Sequence, residues 1–99
     1  MLDITKDVNG SELVVALKGR LDTLTSPQLE EELNASYEGA EKLCFDFAEL
    51  DYISSAGLRV LLSAQKTMNA KGSMVVKNIS EEIREIFDVT GFTDILTIE

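Results

Sequence analysis

The chain contains no histidine and no tryptophan, one cysteine (Cys44) and one proline (Pro27). Without histidine, the usual acid–base group near neutral pH is missing, and the His–Cys donor sets of zinc sites cannot be assembled. A lone thiol closes no internal disulfide. Basic residues are scarce too: nine Lys and Arg face eighteen Asp and Glu, giving a formal charge of −9 at pH 7. Such a surface repels phosphate backbones and anionic headgroups, so nucleic acid and direct membrane insertion are not expected. Long apolar runs are also missing. The longest uncharged stretches, 23–29 and 52–58, are seven residues each, against the roughly 20 apolar residues of a spanning helix. The start, Met1 to Asp7, has neither the basic opening nor the apolar stretch of an export signal. The expected location is cytoplasmic, where a single thiol stays reduced.

What remains is 99 residues of which 44% are hydrophobic, enough for one core and too few for two. No linker, repeat or low-complexity tract divides them, so residues 1–99 read as one domain. Asn9-Gly10, between Leu2-Asp3-Ile4 and Leu13 to Leu17, suits a tight hairpin turn because both residues tolerate positive φ. Ser26 as a cap, Pro27 at the first helical position and Glu30 to Glu32 near the positive end predict a helix start. Leu29, Leu33 and Tyr37 form its buried stripe and Gly39 its left-handed stop. Lys42 to Phe47 reads as a strand, with Leu43, Phe45 and Phe47 on one face and Cys44 and Asp46 on the other.

A second helix begins near Ser54-Ser55, turns Leu58, Leu61, Leu62 and Met68 inward, and ends at Lys71-Gly72. Met74 to Val76 is a short buried strand. Ser80 caps a third helix carrying Ile83, Ile86 and Phe87 on one side, and Ile95 to Ile98 is either a terminal strand or a last short helix. Strand–helix–strand–helix–strand units of this size make right-handed crossovers, so the fold class is α/β, a small mixed sheet with flanking helices.

In such sheets, ligands and partners gather at the carboxyl ends of strands, where helix starts present unsatisfied N–H groups. Two loops qualify, Gly19 to Thr23 and Asp51 to Gly57, and they share one rim if their strands are parallel neighbours. Ser54 and Ser55 open a helix. One hydroxyl there acts as a cap worth about 1 kcal/mol; the second exceeds that need, and a phosphate on either meets the positive helix end. Ala56 and Gly57 leave the backbone open to close approach, or serve tight helix–sheet packing. Arg59, four residues beyond Ser55, faces a phosphate, an acidic partner or solvent. Asp22 and Asp46 are candidates for an acidic lining of the same rim. Cys44, inside a strand, reads as a structural thiol. The glycines form neither G-x-G-x-x-G nor a Walker loop, so nucleotide turnover has no support.

Gly19-Arg20-Leu21-Asp22, the Ser-Pro helix start, Phe45-Asp46-Phe47, the block Tyr52 to Leu62 and Phe87-Asp88-Val89-Thr90-Gly91-Phe92 together resemble a single-domain STAS protein. Within that superfamily the chain is most similar to bacterial anti-sigma-factor antagonists. The resemblance implies a non-enzymatic partner switch without a cofactor. The unmodified antagonist binds an anti-sigma factor that is also a serine kinase, releasing the sigma factor. The kinase uses ATP to phosphorylate a serine at the second helix start, and a metal-dependent, PP2C-type serine phosphatase reverses this. Motif alignment places the acceptor at Ser55, with Ser54 as the competing hydroxyl because it stands where the family often has aspartate. The implied partner surface is Asp22, Thr23, Asp46, Ser54, Ser55, Ala56, Gly57 and Arg59. The alternative within the superfamily is a STAS subunit of a membrane transporter complex of the lipid-trafficking type.

Overall fold

The computed structural model describes residues 2–99. Strand β1 (Leu2–Asn9) turns into β2 (Glu12–Leu21); α1 (Ser26–Asn34), β3 (Lys42–Ile53), α2 (Ser55–Lys71), β4 (Ser73–Lys77) and α3 (Glu81–Thr90) follow, and a 3-10 turn occupies Phe92–Asp94. The four strands lie in the order β1-β2-β3-β4, with β1 antiparallel to β2 and the other pairs parallel. This is the expected α/β architecture with a mixed sheet.

The hairpin closes one residue later than the Asn9-Gly10 dipeptide suggests. Asn9 still pairs with Glu12, and Gly10, at φ +64°, takes the left-handed position of a Gly10-Ser11 loop. Along β2 and β3, Leu13, Val15, Leu17, Leu43, Phe45 and Phe47 alternate onto one face and are buried. They join Leu29 and Leu33 of α1, Leu58, Leu61 and Met68 of α2, and Ile83 and Phe87 of α3 in one hydrophobic cluster, so the three helices cover the same face of the sheet. Each such side chain, fully buried, stabilises by about 1.5–3 kcal/mol. Val14, Ala16, Cys44, Asp46 and Val75 point to the other face.

Helix α1 departs from its reading at both ends. Thr25, not Ser26, is the N-cap residue; Ser26 is buried in the first turn, with its hydroxyl donating to the Asp22 carbonyl. The helix stops at Asn34, well before Gly39. There Ser36 donates its N–H to the Leu33 carbonyl and its hydroxyl to the Glu32 carbonyl, which tightens the last turn and releases the chain. Tyr37 therefore packs from a loop rather than from the helix.

Strand β3 runs six residues past Phe47 and takes in the first three residues of the stretch Asp51 to Gly57 read as a loop. Two register shifts against β2 put extra residues into β3, so burial there falls on Phe47, Leu50 and Ile53, every third position instead of every second. Helix α2 ends at Gly72 without a left-handed cap: a Cβ at Gly72 would lie 1.8 Å from the Glu41 carbonyl oxygen, so close backbone approach requires glycine. Leu62 is only half-buried. Helix α3 is capped as expected, Ser80 Oγ accepting from the Ile83 N–H at 3.2 Å and Gly91 closing it at φ +81°. The final segment combines both readings: after the 3-10 turn, Ile98 bridges Val76 in parallel.

Candidate functional site

The ends of β2 and β3 lie side by side, with Leu21 paired to Ile53, and the Ser54 N–H donates to the Leu21 carbonyl at 2.9 Å. Both strands run further than expected, so the loops at this rim are short: Asp22 to Thr25 on one side, and Ser54 alone on the other.

Asp22 organises the first loop. Its Oδ1 accepts from the N–H groups of Leu24 (3.0 Å) and Thr25 (3.1 Å), and its own N–H donates to Thr25 Oγ1 at 2.9 Å. Thr25 Oγ1 in turn donates to the Arg20 carbonyl at 2.8 Å. The Thr25 N–H, foremost among these bonds, holds the Asp22 carboxyl below the usual carboxylate range. The Arg20 guanidinium stands 3.9 Å from Asp22 and 4.4 Å above the Tyr52 ring centre, a cation–π contact across the strand pair. Thr23 is exposed beside this network.

The second loop sets two hydroxyls in different surroundings. Ser54 occupies the N-cap position of α2 with extended backbone, yet its side chain caps nothing; Ser54 Oγ is buried and has no hydrogen-bond partner. Ser55, the first helical residue, is exposed. The first helical bond runs from the Leu58 N–H to the Ser54 carbonyl, so the N–H groups of Ser55, Ala56 and Gly57 precede the ladder at the positive end of a 17-residue helix. No carboxylate occupies that first turn, unlike α3, which carries Glu81 and Glu82 there.

Gly57 serves packing. A Cβ on it would lie 2.7 Å from Leu21 Cγ and 2.8 Å from Ile53 Cγ1, so α2 sits on the strand ends at a distance only glycine permits. Ala56 and the exposed Arg59 face a shallow hollow between α1 and α2, lined also by Thr23, Ser26, Pro27, Glu30 and Val60. Asp22, Thr23, Ser54, Ser55, Ala56, Gly57 and Arg59 thus belong to one rim.

Asp46 does not. It pairs with Ala16 in mid-sheet, whereas the rim begins at Leu21 and Ile53; Ala16 and Leu21 are five residue steps apart along β2, about 17 Å at strand rise. Its Oδ1 accepts from Asn78 Nδ2 and the Ala48 N–H, both at 3.0 Å. The Asn78 bond, first, and the Ala48 bond hold this carboxyl below its usual range. Asp46 therefore ties the β3 irregularity to the end of β4, and the expectation of one acidic rim is corrected to Asp22 alone. Cys44 is buried, and desolvation raises its thiol pKa, as suits an inert structural thiol.

Two residues of the rim are not among the expected partner-surface residues, and only Tyr52 of the two lies in a block that carries the resemblance. Leu24 is 89% exposed and Tyr52 is 38% exposed, both beside the Asp22 turn. Among the described residues, no helix is long and apolar enough to cross a membrane.

Residues 3–99 match the STAS domain family. The chain is 35% identical over 99 residues to BtrV of Bordetella bronchiseptica, a candidate anti-sigma factor antagonist, with 98% of this chain and 85% of that protein covered. It is 31% identical over 100 residues to the anti-sigma-B factor antagonist of Bacillus subtilis, covering 98% and 92%. Among solved structures, the Bacillus anti-sigma factor antagonist SpoIIAA superposes at 19% identity with a TM-score of 0.78 unphosphorylated, covering 98% of this chain and 87% of SpoIIAA. In its phosphorylated form the TM-score is 0.77, with 98% and 91% covered.

Proposed function

The chain belongs to the STAS domain family, and from that premise we propose that it is an anti-sigma factor antagonist switched by phosphorylation of Ser55. Residues 1–99 act as one regulatory module in the cytoplasm, without catalysis of their own. Unmodified, the module binds an anti-sigma factor that is a serine kinase and frees the sigma factor. The kinase transfers the γ-phosphoryl group of ATP to Ser55 Oγ, the hydroxyl proton leaves and ADP departs. A PP2C-type serine phosphatase restores the hydroxyl by hydrolysis.

The observation that carries this reading is the contrast between adjacent hydroxyls: Ser55 is exposed, whereas Ser54 Oγ is enclosed. A visiting kinase can reach the first and not the second. The helix start accommodates the product, because the unbonded N–H groups and the α2 dipole stabilise an anion by about 0.3–1 kcal/mol at an exposed site. At an interface the same phosphate is a liability. It brings about −1.5 to −2 charges, and burying an unpaired charge costs about 2–5 kcal/mol, which weakens docking about 30-fold to several thousandfold. No large conformational change is needed.

Incubation with the purified anti-sigma factor kinase of the same genome and ATP, followed by phosphopeptide mapping, tests the acceptor. The expected result is one phosphate on Ser55, lost in Ser55→Ala and retained in Ser54→Ala. Modification persisting in Ser55→Ala refutes the assignment.

A further inference from the structure

Among the described residues, Leu24 is the most exposed of the large hydrophobics, at 89%, ahead of Val89 at 81% and Val8 at 69%. A single exposed leucine is ordinary on a protein surface. The way this one is displayed is not. Asp22 Oδ1 holds the N–H groups of Leu24 and Thr25, Thr25 Oγ1 ties back to Arg20, and the Ser26 N–H donates to the Asp22 carbonyl at 2.8 Å. The turn is thus fixed on both sides of a side chain that touches little. The Leu21 carbonyl, just before the turn, accepts from Ser54, so Leu24 is held in fixed relation to the start of α2. A protruding apolar side chain on a rigid turn loses little entropy on docking.

We propose that Leu24 anchors the partner interface by seating in an apolar pocket of the serine kinase that modifies Ser55. This rests on the function proposed above. The kinase is the occupant because Thr23, the chain neighbour of Leu24, and Ala56, the chain neighbour of Ser55, line one hollow, which sets the two loops side by side; a protein that docks over the Ser55 hydroxyl meets this turn as well. A second copy is disfavoured by net charge, since two chains carrying −9 each repel one another. The matching pocket is therefore apolar with cationic side chains around it.

The test measures affinity for the purified kinase by titration calorimetry, in a Ser55→Ala background so that binding is read apart from phosphoryl transfer. Leu24→Ala should raise Kd at least tenfold, the scale of losing one leucine's burial. Leu24→Met should recover most of the affinity. Val89→Ala, equally exposed on α3, should leave it within twofold. With Ser55 present, Leu24→Ala should raise KM for phosphorylation and leave kcat within about threefold. Unchanged affinity in Leu24→Ala overturns the anchor even when Ser55 is phosphorylated normally, as does an equal loss in Val89→Ala. A phosphate found elsewhere than Ser55, with Leu24→Ala still weakening binding, removes the acceptor assignment and keeps the anchor.

Discussion

The Ser54 N–H and the Leu21 carbonyl, 2.9 Å apart, join the first residue before α2 to the last residue of β2. Through that bond the Asp22 turn and the Ser55 helix start form one rim, though 33 positions separate Asp22 from Ser55 in the sequence.

The same junction depends on Gly57. Its absent side chain leaves room for Leu21 and Ile53, which a Cβ would approach to 2.7 and 2.8 Å. Gly57→Ala should cost about 1–3 kcal/mol through overpacking, lowering the melting temperature by about 4–8 °C per kcal/mol in a domain of this size. Thermal unfolding followed by circular dichroism reads the shift. An unchanged melting temperature contradicts the tight packing.

Two serines at N-cap positions should respond oppositely to alanine. Ser80 Oγ accepts from Ile83, so Ser80→Ala should destabilise by about 1 kcal/mol. Ser54 Oγ is buried and bonds to nothing; removing it should leave stability unchanged or raise it by up to about 1 kcal/mol. Urea denaturation of the two variants compares them directly.

The acidic limb of the stability curve belongs partly to Asp22 and Asp46. Both carboxyls are held below their usual range in the folded chain, so the unfolded state takes up protons first as pH falls. Their stabilisation is complete above the unfolded value of about 4 and disappears as pH drops through the lowered folded value. Asp46→Asn should lose about 1 kcal/mol at pH 7, a charged hydrogen-bond contribution discounted for exposure, and match the parent near pH 2. Urea unfolding across that range would show a flatter acid limb in the variant; an equal loss at both pH values would mean a packing defect instead.

Charge at position 55 can be added without a kinase. Ser55→Asp brings one negative charge where phosphate brings about −1.5 to −2, so it should weaken kinase binding about tenfold, less than phosphorylation does. Calorimetry on the variant measures this. Affinity equal to the parent's would exclude local electrostatics as the switch.

Much of this architecture was legible in the residues. The strand centres, the helix starts at Ser55 and Ser80, and the parallel crossovers follow from periodicity and caps. The end of β3 was not, because its extra residues replace the two-residue alternation with the spacing of Phe47, Leu50 and Ile53. Asp46 seemed a rim residue because distance along a strand leaves no trace in a motif. Ser54 and Ser55 are equivalent as letters at a helix start; only burial separates them. Leu24 is an ordinary leucine until the Asp22 turn aims it at solvent, which no hydrophobic pattern encodes.

The central claim is tested most directly by comparing kinase affinity for the unmodified protein and for protein carrying phosphate located at Ser55 by mass spectrometry. The expected result is a Kd at least 30-fold higher for the phosphorylated form, with the circular dichroism spectrum unchanged. Equal affinity of the two forms would contradict it.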